Sequence, residues 1–293
     1  MSDANGSDAS RRDPSAGAST LGDRVGRDLR PRVMSGLAMA AVAIAAVWAG
    51  GVPLAALLAL VGGVVAWEWG RIVRGTEVDA AMSAHVATVI AGIVLTGLGL
   101  AGPAILAVLI GTILTGLLSF GRHGFLSAAG VLFAGLPGIA LLWLRNDEPF
   151  GAAAVFFLVG AVVATDVGAY FCGRLIGGAK LWPSVSPNKT WAGLIGGVIA
   201  AAIVGLGFAM YFTGGLSGQL ASTGGFLALM AQAGDLAESA LKRRFGTKDA
   251  STLIPGHGGF MDRVDGLAVA SIVAAAWVAL MDMSAPARAL LGW

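Results

Sequence analysis

The chain has 293 residues, of which 56% are hydrophobic and only 12% are charged, and its formal net charge is +2. This composition excludes an ordinary water-soluble globule and favours an integral membrane protein. The single cysteine, Cys172, excludes an intrachain disulfide.

The first 32 residues form a separate region that is rich in Ser, Ala, Gly, Asp and Arg and contains few large apolar side chains. This composition predicts a disordered cytoplasmic tail. After it we expect N-terminal transmembrane helices over residues 33–145. C-terminal transmembrane helices follow over residues 146–293, and these carry the functional site.

Nine apolar segments are each roughly long enough to cross a bilayer. They lie near residues 33–50, 53–70, 82–101, 103–120, 125–144, 150–171, 190–212, 218–239 and 265–284. The prediction is therefore an all-α fold, a polytopic transmembrane helical bundle of about nine spans. If the N-terminus is cytoplasmic, only Arg145 and Arg288 of the 19 Lys and Arg residues fall on the opposite side. Such a bias indicates that orientation.

Carboxylates at membrane depth are costly and are candidates for function. Five lie within or at the ends of the predicted spans: Glu68, Asp166, Asp235, Glu238 and Asp282. Glu68 stands between two tryptophans, so it is either an interfacial residue in an aromatic belt or a functional one. Asp282 is expected at the outer end of the last span, where an interfacial role is favoured.

The most polar stretch between apolar segments is residues 239–265, with the sequence SALKRRFGTKDASTLIPGHGGFMDRVD. Two polar stripes border it on predicted helices, the first comprising Asp235, Glu238, Ser239 and Lys242 and the second Asp262 and Asp265. Their spacings place each stripe on one helical face. Carboxylates converging from neighbouring helices could hold a hard divalent cation. The alternative is a set of interhelical salt bridges to Lys242, Arg243 and Arg263.

Glycines surround His257 between these two stripes, in the run Pro255-Gly256-His257-Gly258-Gly259. Such a turn can bring backbone N–H groups close to an anion. With five Lys and Arg residues in the same stretch, a phosphate cradle is favoured over a simple surface loop.

A second polar cluster begins in the sixth predicted span. Asp166, Tyr170 and Arg174 are spaced by four and share a helical face. In the loop that follows, Ser186 or Thr190 could cap the seventh helix, whose N-terminus would attract an anion. The alternative is an ordinary basic cytoplasmic loop.

These residues carry a resemblance to a known family. Residues 239–265 resemble the signature of the phosphatidate cytidylyltransferases, or CDP-diacylglycerol synthases. Two further runs fit the same family: Gly234-Asp235-Leu236-x-Glu238-Ser239, and Asp166-x-Gly168-Ala169-Tyr170-x2-Gly173-Arg174 followed by Ser186-Pro187-x-Lys189-Thr190. The resemblance covers roughly residues 30 to 293.

The resemblance implies a membrane enzyme that condenses CTP with phosphatidic acid, giving CDP-diacylglycerol and pyrophosphate in an Mg²⁺-dependent reaction. It implies Asp235 and Asp262 as metal ligands, with a monovalent cation beside the Mg²⁺. Catalytic roles are expected for Asp235, Asp262, Lys242, Arg263 and His257. Substrate contacts are expected from Ser239, Arg243, Lys248, Asp249, Gly258, Gly259, Asp265, Asp166, Tyr170, Arg174, Ser186, Lys189 and Thr190.

The expected partners are CTP, phosphatidic acid and the lipid bilayer, with no nucleic acid and with a homodimer allowed by the Gly-rich helix faces. The expected location is the inner (plasma) membrane, with the site facing the cytoplasm. Two alternatives stay open: a CTP-dependent lipid-alcohol kinase that releases CDP, and a non-enzymatic transporter whose intramembrane acids carry ions.

Overall fold

Ten helices and one short hairpin make up the described part of the chain. A computed structural model describes residues 21–75, 78–254 and 258–292, and side chains from residue 33 onward. The elements are α1 (Leu21–Ala49), α2 (Gly51–Arg74), α3 (Ala80–Gly97), α4 (Ala101–Leu118), α5 (Gly124–Arg145), α6 (Gly151–Leu175), β1 (Lys180–Trp182), β2 (Ser186–Thr190), α7 (Trp191–Thr213), α8 (Gly218–Arg244), α9 (Met261–Met281) and α10 (Pro286–Leu291).

All nine predicted apolar segments correspond to helices, α1 to α9, but fewer than nine of the described helices qualify as candidate spans. Seven of the described helices are long and apolar enough to cross a membrane, namely α2 to α7 and α9. The apolar part of α1, Val33–Ala49, is shorter, and α8 carries polar side chains along its length. Helix α1 begins at Leu21, within the region 1–32 that was predicted to be disordered, and residues 1–20 lie outside the described part.

The hairpin β1–β2 was not predicted. Its strands pair antiparallel, with Lys180 opposite Thr190 and Trp182 opposite Ser186. Strands of three and five residues are too short to show a clear alternation of apolar and polar residues. A polar stretch with Gly and Pro therefore suggested only a loop.

The helices pack in two groups that share one helix. Helices α2, α3, α4 and α5 pack against one another, and α6, α7 and α8 form the second group. Helix α9 packs against both α5 and α8, so it joins the groups. Within the second group, a Cβ on Gly193 would lie 2.9 Å from the Ala169 carbonyl oxygen, and one on Gly197 2.8 Å from that of Thr165. The GxxxG pattern in α7 thus allows α6 and α7 to approach closely.

We call the two ends of the helix bundle the site end and the distal end. At the site end, Glu68 of α2 bonds to the first residue of α9, and the rings of His123 and Phe245 lie 5.1 Å apart. At the distal end, Arg145 bonds to the last turn of α1, and Asp147 bonds to the backbone of α10. The polar residues of α6, α8 and α9 lie at the site end, which contains the candidate site.

Candidate active site

A cavity of about 540 Å³ lies at the site end between α6, β2, α7 and α8. Its lining residues are Asp166, Ala169, Tyr170, Gly173, Arg174, Asn188, Lys189, Thr190, Gly193, Leu194, Gln232 and Asp235. Six of the site residues expected from the sequence are among them: Asp166, Tyr170, Arg174, Lys189, Thr190 and Asp235. The cavity thus brings together residues that are about 70 positions apart in the chain.

Helix α6 forms one wall with the face that the four-residue spacing predicts. Asp166, Tyr170 and Arg174 all line the cavity. The Nη1 of Arg174 donates to the Tyr170 hydroxyl oxygen at 2.8 Å, and the guanidinium lies 5.9 Å from the centre of the tyrosine ring. This wall offers a cation and a phenol to a ligand.

The start of α7 forms the adjoining wall. The Thr190 Oγ1 accepts a hydrogen bond from the Gly193 N–H at 3.0 Å, so Thr190 is the N-cap and Ser186 is not. The remaining N–H groups of the first turn and the helix dipole favour an anion at this end. An anionic ligand in the cavity would meet this partial positive charge.

Lys189, at the end of β2, binds directly to the opposite wall. Its Nζ lies 2.6 Å from the Asp235 Oδ2, and the two side chains are 17% and 32% exposed. The Ser239 hydroxyl donates to the Asp235 Oδ1 at 3.3 Å, one turn along α8. The hairpin therefore places Lys189, which was expected to contact substrate, against Asp235 in the cavity.

Three carboxylates from three helices interact electrostatically around this ion pair. Asp265 of α9 interacts with both Asp235 and Asp166, and Asp166 interacts with Asp235. The positive charges of Lys189 and Arg263 attract the Asp166 carboxylate, whereas the other two carboxylates repel it. Acidic groups and cations thus meet at one place, which suits a phosphate–metal ligand.

A second, more buried ionic cluster lies between α8 and α9. The Nζ of Lys242 lies 2.6 Å from the Glu238 Oε2 and 2.5 Å from the Asp262 Oδ1. The side chains of Lys242, Glu238 and Asp262 are 11%, 1% and 8% exposed. Within this cluster, the alternative of interhelical salt bridges is therefore realised.

The Gly-rich turn directs its backbone toward this buried cluster. The Asp262 Oδ2 accepts hydrogen bonds from the Ala250 N–H at 3.0 Å and from the Gly259 N–H at 2.8 Å. Gly258 has φ +81°, and its carbonyl oxygen accepts from the Ile254 N–H. The Gly259 N–H that was predicted to hold a phosphate thus binds a carboxylate of the protein itself.

Glu68 of α2 binds the same turn and does not lie in an aromatic belt at the surface. Its side chain is fully buried. It accepts hydrogen bonds from the Ser251 hydroxyl at 2.5 Å, the Phe260 N–H at 3.0 Å and the Met261 N–H at 2.6 Å. Of the two roles the sequence left open, the structure excludes the interfacial one.

Several expected substrate contacts lie outside the cavity lining. Arg243, Lys248 and Asp249 are exposed, and the Arg243 Nε donates to the Val185 carbonyl oxygen of the hairpin at 3.4 Å. That bond ties α8 to the hairpin, a role for which the sequence gives no signal. Ser186 is partly buried opposite Trp182. His257 lies outside the described residues.

Sequence reasoning missed two polar residues of the cavity. Gln232 is buried and lines the cavity three residues before Asp235, and Asn188 lines it immediately before Lys189. The i, i+3 spacing to Asp235 could have identified Gln232 as part of the first stripe. Asn188 carries no such periodic signal.

The described residues contain no group of three or more His, Cys, Asp or Glu side chains placed to hold a metal. Mg²⁺ does not require one, because it is commonly bound by one or two carboxylates together with substrate phosphates. An ionised carboxylate has about four lone-pair sites. Asp235 uses part of this capacity to bind Ser239 and Lys189. Asp262 uses part of its own capacity to bind Lys242, Ala250 and Gly259. Both residues fit an oxygen-seeking cation.

Comparisons with known proteins point to one family. A model of the Cytidylyltransferase family matches residues 30–281. The chain is 36% identical over 261 residues to a phosphatidate cytidylyltransferase of Brucella melitensis, covering 83% of this chain and 91% of that protein. It is also 36% identical over 148 residues to the Bacillus subtilis protein of that name (50% of this chain, 55% of that protein), and 40% identical over 150 residues to the Staphylococcus saprophyticus one (50% and 58%).

Proposed function

Because the chain belongs to the cytidylyltransferase family, we propose that it is the enzyme that condenses CTP with phosphatidic acid. The products are CDP-diacylglycerol and pyrophosphate. The relatives named phosphatidate cytidylyltransferase support this substrate pair. In the reaction, a phosphate oxygen of phosphatidic acid bonds to the α-phosphorus of CTP, and the bond from that phosphorus to the bridging oxygen of pyrophosphate breaks.

One observation carries the proposal: Lys189 and Arg174 flank a capped helix N-terminus in the 540 Å³ cavity, opposite Asp235. Two anionic substrates must approach each other in this reaction, so catalysis depends on charge neutralisation and positioning. Lys189, Arg174 and the α7 N-terminus supply positive charge to the phosphates. The nucleophile is a phosphate monoester whose second pKa is about 6, so a strong general base is not needed.

We propose that Asp235 and Asp262 hold Mg²⁺ through their remaining lone pairs. When bound, the ion neutralises charge on the leaving pyrophosphate. In this proposal Lys189 turns from Asp235 toward the substrate phosphates, and Lys242 keeps Asp262 oriented from the side of α8. The monovalent cation that the resemblance implies stays a prediction.

We also propose that the site end faces the cytoplasm in the inner membrane. Arg145 and Arg288, the two basic residues that sequence analysis places on the far side, both belong to distal elements. The basic residues of α2, α6, α8 and the hairpin lie at the site end, as positive-inside topology requires. CTP then enters from the cytoplasm while phosphatidic acid stays in the leaflet.

The test uses purified full-length protein in nanodiscs containing phosphatidic acid, supplied with CTP and Mg²⁺. We expect CDP-diacylglycerol and pyrophosphate in equal amounts, and we expect a chelator to stop the reaction. Release of CDP without pyrophosphate would identify a lipid-alcohol kinase instead. If neither product forms while the protein carries ions across vesicles, the transporter alternative is right. Light scattering of the same sample measures whether the predicted homodimer exists.

A further inference from the structure

The carboxylate of Glu68 forms the polar link between α2 and the start of α9. It is fully buried and accepts three hydrogen bonds, from Ser251, Phe260 and Met261. These partners lie 183 to 193 residues further along the chain. A buried carboxylate is expensive unless its lone pairs are used, and here three donors use them.

Glu68 also completes a helix end that lacks a cap of its own. Helix α9 begins at Met261, and its N-cap residue, Phe260, makes no side-chain capping hydrogen bond. The first N–H groups of a helix need acceptors, and a negative charge there is favourable. Glu68 supplies both from a different helix, because it accepts from the Phe260 and Met261 N–H groups.

Glu68 and Asp262 accept hydrogen bonds from neighbouring residues of the chain. Glu68 binds positions 251, 260 and 261, and Asp262 binds the backbone of positions 250 and 259. The backbone comes so close that a Cβ on Gly259 would lie 2.5 Å from the Glu68 Oε1. Two carboxylates thus bind neighbouring residues of one turn.

Glu68 itself cannot touch a substrate in the cavity. The lining of the cavity comes from α6, β2, α7 and α8, whereas Glu68 lies on α2 and is enclosed. Any effect of Glu68 on catalysis must therefore pass through the turn to Asp262.

We propose that Glu68 is a positioning residue for the reaction: by capping α9 and fixing the 250–261 turn, it sets the orientation of the Asp262 carboxylate. This proposal rests on the function proposed above. It assigns a role in catalysis to α2, which belongs to the helix group that contributes nothing to the cavity lining. The role is one of geometry and not of contact with the reacting atoms.

Glu68→Gln tests the proposal with little change in volume. A carboxamide has one acceptor oxygen, so at least one donor that now faces a carboxylate oxygen would face an NH₂ group. The matched control is Arg145→Gln, which removes a buried charge at the distal end whose Nε and Nη2 donate to the carbonyl oxygens of Val47 and Trp48. Both variants lose a buried polar link, but only one link leads to Asp262.

Steady-state kinetics in nanodiscs are measured at a temperature at which both variants are folded, together with amide exchange of residues 258–262. We expect Glu68→Gln to lower kcat about 10- to 100-fold, as loss of an orienting partner typically does. The KM for phosphatidic acid should change by less than about twofold, and the Phe260 and Met261 amides should exchange faster. Arg145→Gln should keep kcat within about twofold.

The proposal is overturned if Glu68→Gln keeps kcat within about twofold of wild type, or if Arg145→Gln loses as much. If Glu68→Gln does not fold, Ser251→Ala carries the test, because it removes one donor and leaves both amide bonds. A lower kcat with an unchanged unfolding temperature supports the proposal, and an unchanged kcat overturns it. A wild-type protein that makes no CDP-diacylglycerol refutes the proposed function instead, and amide exchange still tests the Glu68 cap.

Discussion

The two ionic clusters at the site end use the same residue types in different ways. In the cavity, Lys189 and Asp235 are partly exposed and face open volume. In the second cluster, Lys242, Glu238 and Asp262 are almost completely enclosed, and Asp262 binds backbone N–H groups as well as the lysine. The first cluster can exchange its partners for a ligand, whereas the second also links α8 to α9. Exposure, more than charge, distinguishes the ion pair that a ligand can replace from the ion pairs that stabilise the fold.

Asp262→Asn should have the largest effect, because it removes both a proposed metal ligand and a buried ion pair that stabilises the fold. Breaking a buried ion pair by removing one charged partner typically costs about 3–5 kcal/mol, and here Lys242 loses one of its two carboxylate partners. We therefore expect loss of turnover together with a clearly lower unfolding temperature, measured by thermal scanning in detergent. An unchanged unfolding temperature would show that the enclosed cluster does not stabilise the fold.

Asp235→Asn should stop turnover without weakening the fold. Its ion pair with Lys189 is partly exposed, and such pairs contribute about 0–1 kcal/mol to stability. We expect turnover to fall at least about 100-fold, as when a group that stabilises transition-state charge is removed. CDP-diacylglycerol formation and thermal scanning measure the two effects. Near-normal turnover would mean that Asp235 does not hold a metal.

Gly259→Ala should disturb the enclosed cluster by steric contact alone. The new Cβ would lie 2.5 Å from the Glu68 Oε1 and 3.0 Å from the Ala250 Cβ. Overpacking of this kind costs about 1–3 kcal/mol. The control is Gly207→Ala in α7, where a Cβ meets nothing within 4 Å and should be neutral or slightly stabilising. Equal unfolding temperatures for the two variants would contradict the close packing of the turn.

Lys189→Gln should weaken substrate binding and leave stability almost unchanged. A hydrogen bond to a charged group is worth about 1.5–3 kcal/mol, so we expect the KM for CTP to rise about 10- to 100-fold. Lys180→Gln is the matched control, because Lys180 lies on the other strand of the hairpin and does not line the cavity. A similar rise in both variants would indicate a general effect of surface charge.

Asp282→Asn should have the smallest effect, because Asp282 lies beyond the distal end of α9. The Ser284 hydroxyl and amide donate to this exposed carboxylate, and they hold its pKa below the ordinary value of 3.8. A carboxylate with a lowered pKa stabilises the fold above that value and loses this contribution as the pH falls through the lowered pKa. Turnover at pH 7 should stay within about twofold. Any difference in unfolding temperature from wild type should shrink below pH 3.8.

The sequence predicted the helices and the cavity better than it predicted the turn. Hydrophobic segments located α1 to α9, and the four-residue spacing identified the face of Asp166, Tyr170 and Arg174 that lines the cavity. Such signals are local, so a single segment is enough to show them. The nine predicted spans exceed the seven candidates among the described helices by two, because the apolar part of α1 is short and α8 carries polar side chains.

The role of Glu68 could not be read from the sequence, because its partners lie more than 180 residues away. The partner of Gly259 could not be read from the Gly-rich turn for a related reason: glycines show that a backbone can approach an anion, but not which anion it meets. The acidic partner of Gly259 is Asp262, only three residues further on, so the spacing held a usable clue.

The capping of α9 by Glu68 also bears on how the protein is made. Helix α2 leaves the ribosome early, and the helix that it caps is the last of the candidate spans to be synthesised. A nascent chain that ends before α9 holds Glu68 without the N–H groups that it binds, and it lacks Asp262. Under the proposed roles of Asp262 and Glu68, the site end is completed only when the first and last of the candidate spans among the described helices meet, so we expect an unfinished chain in the membrane not to consume CTP.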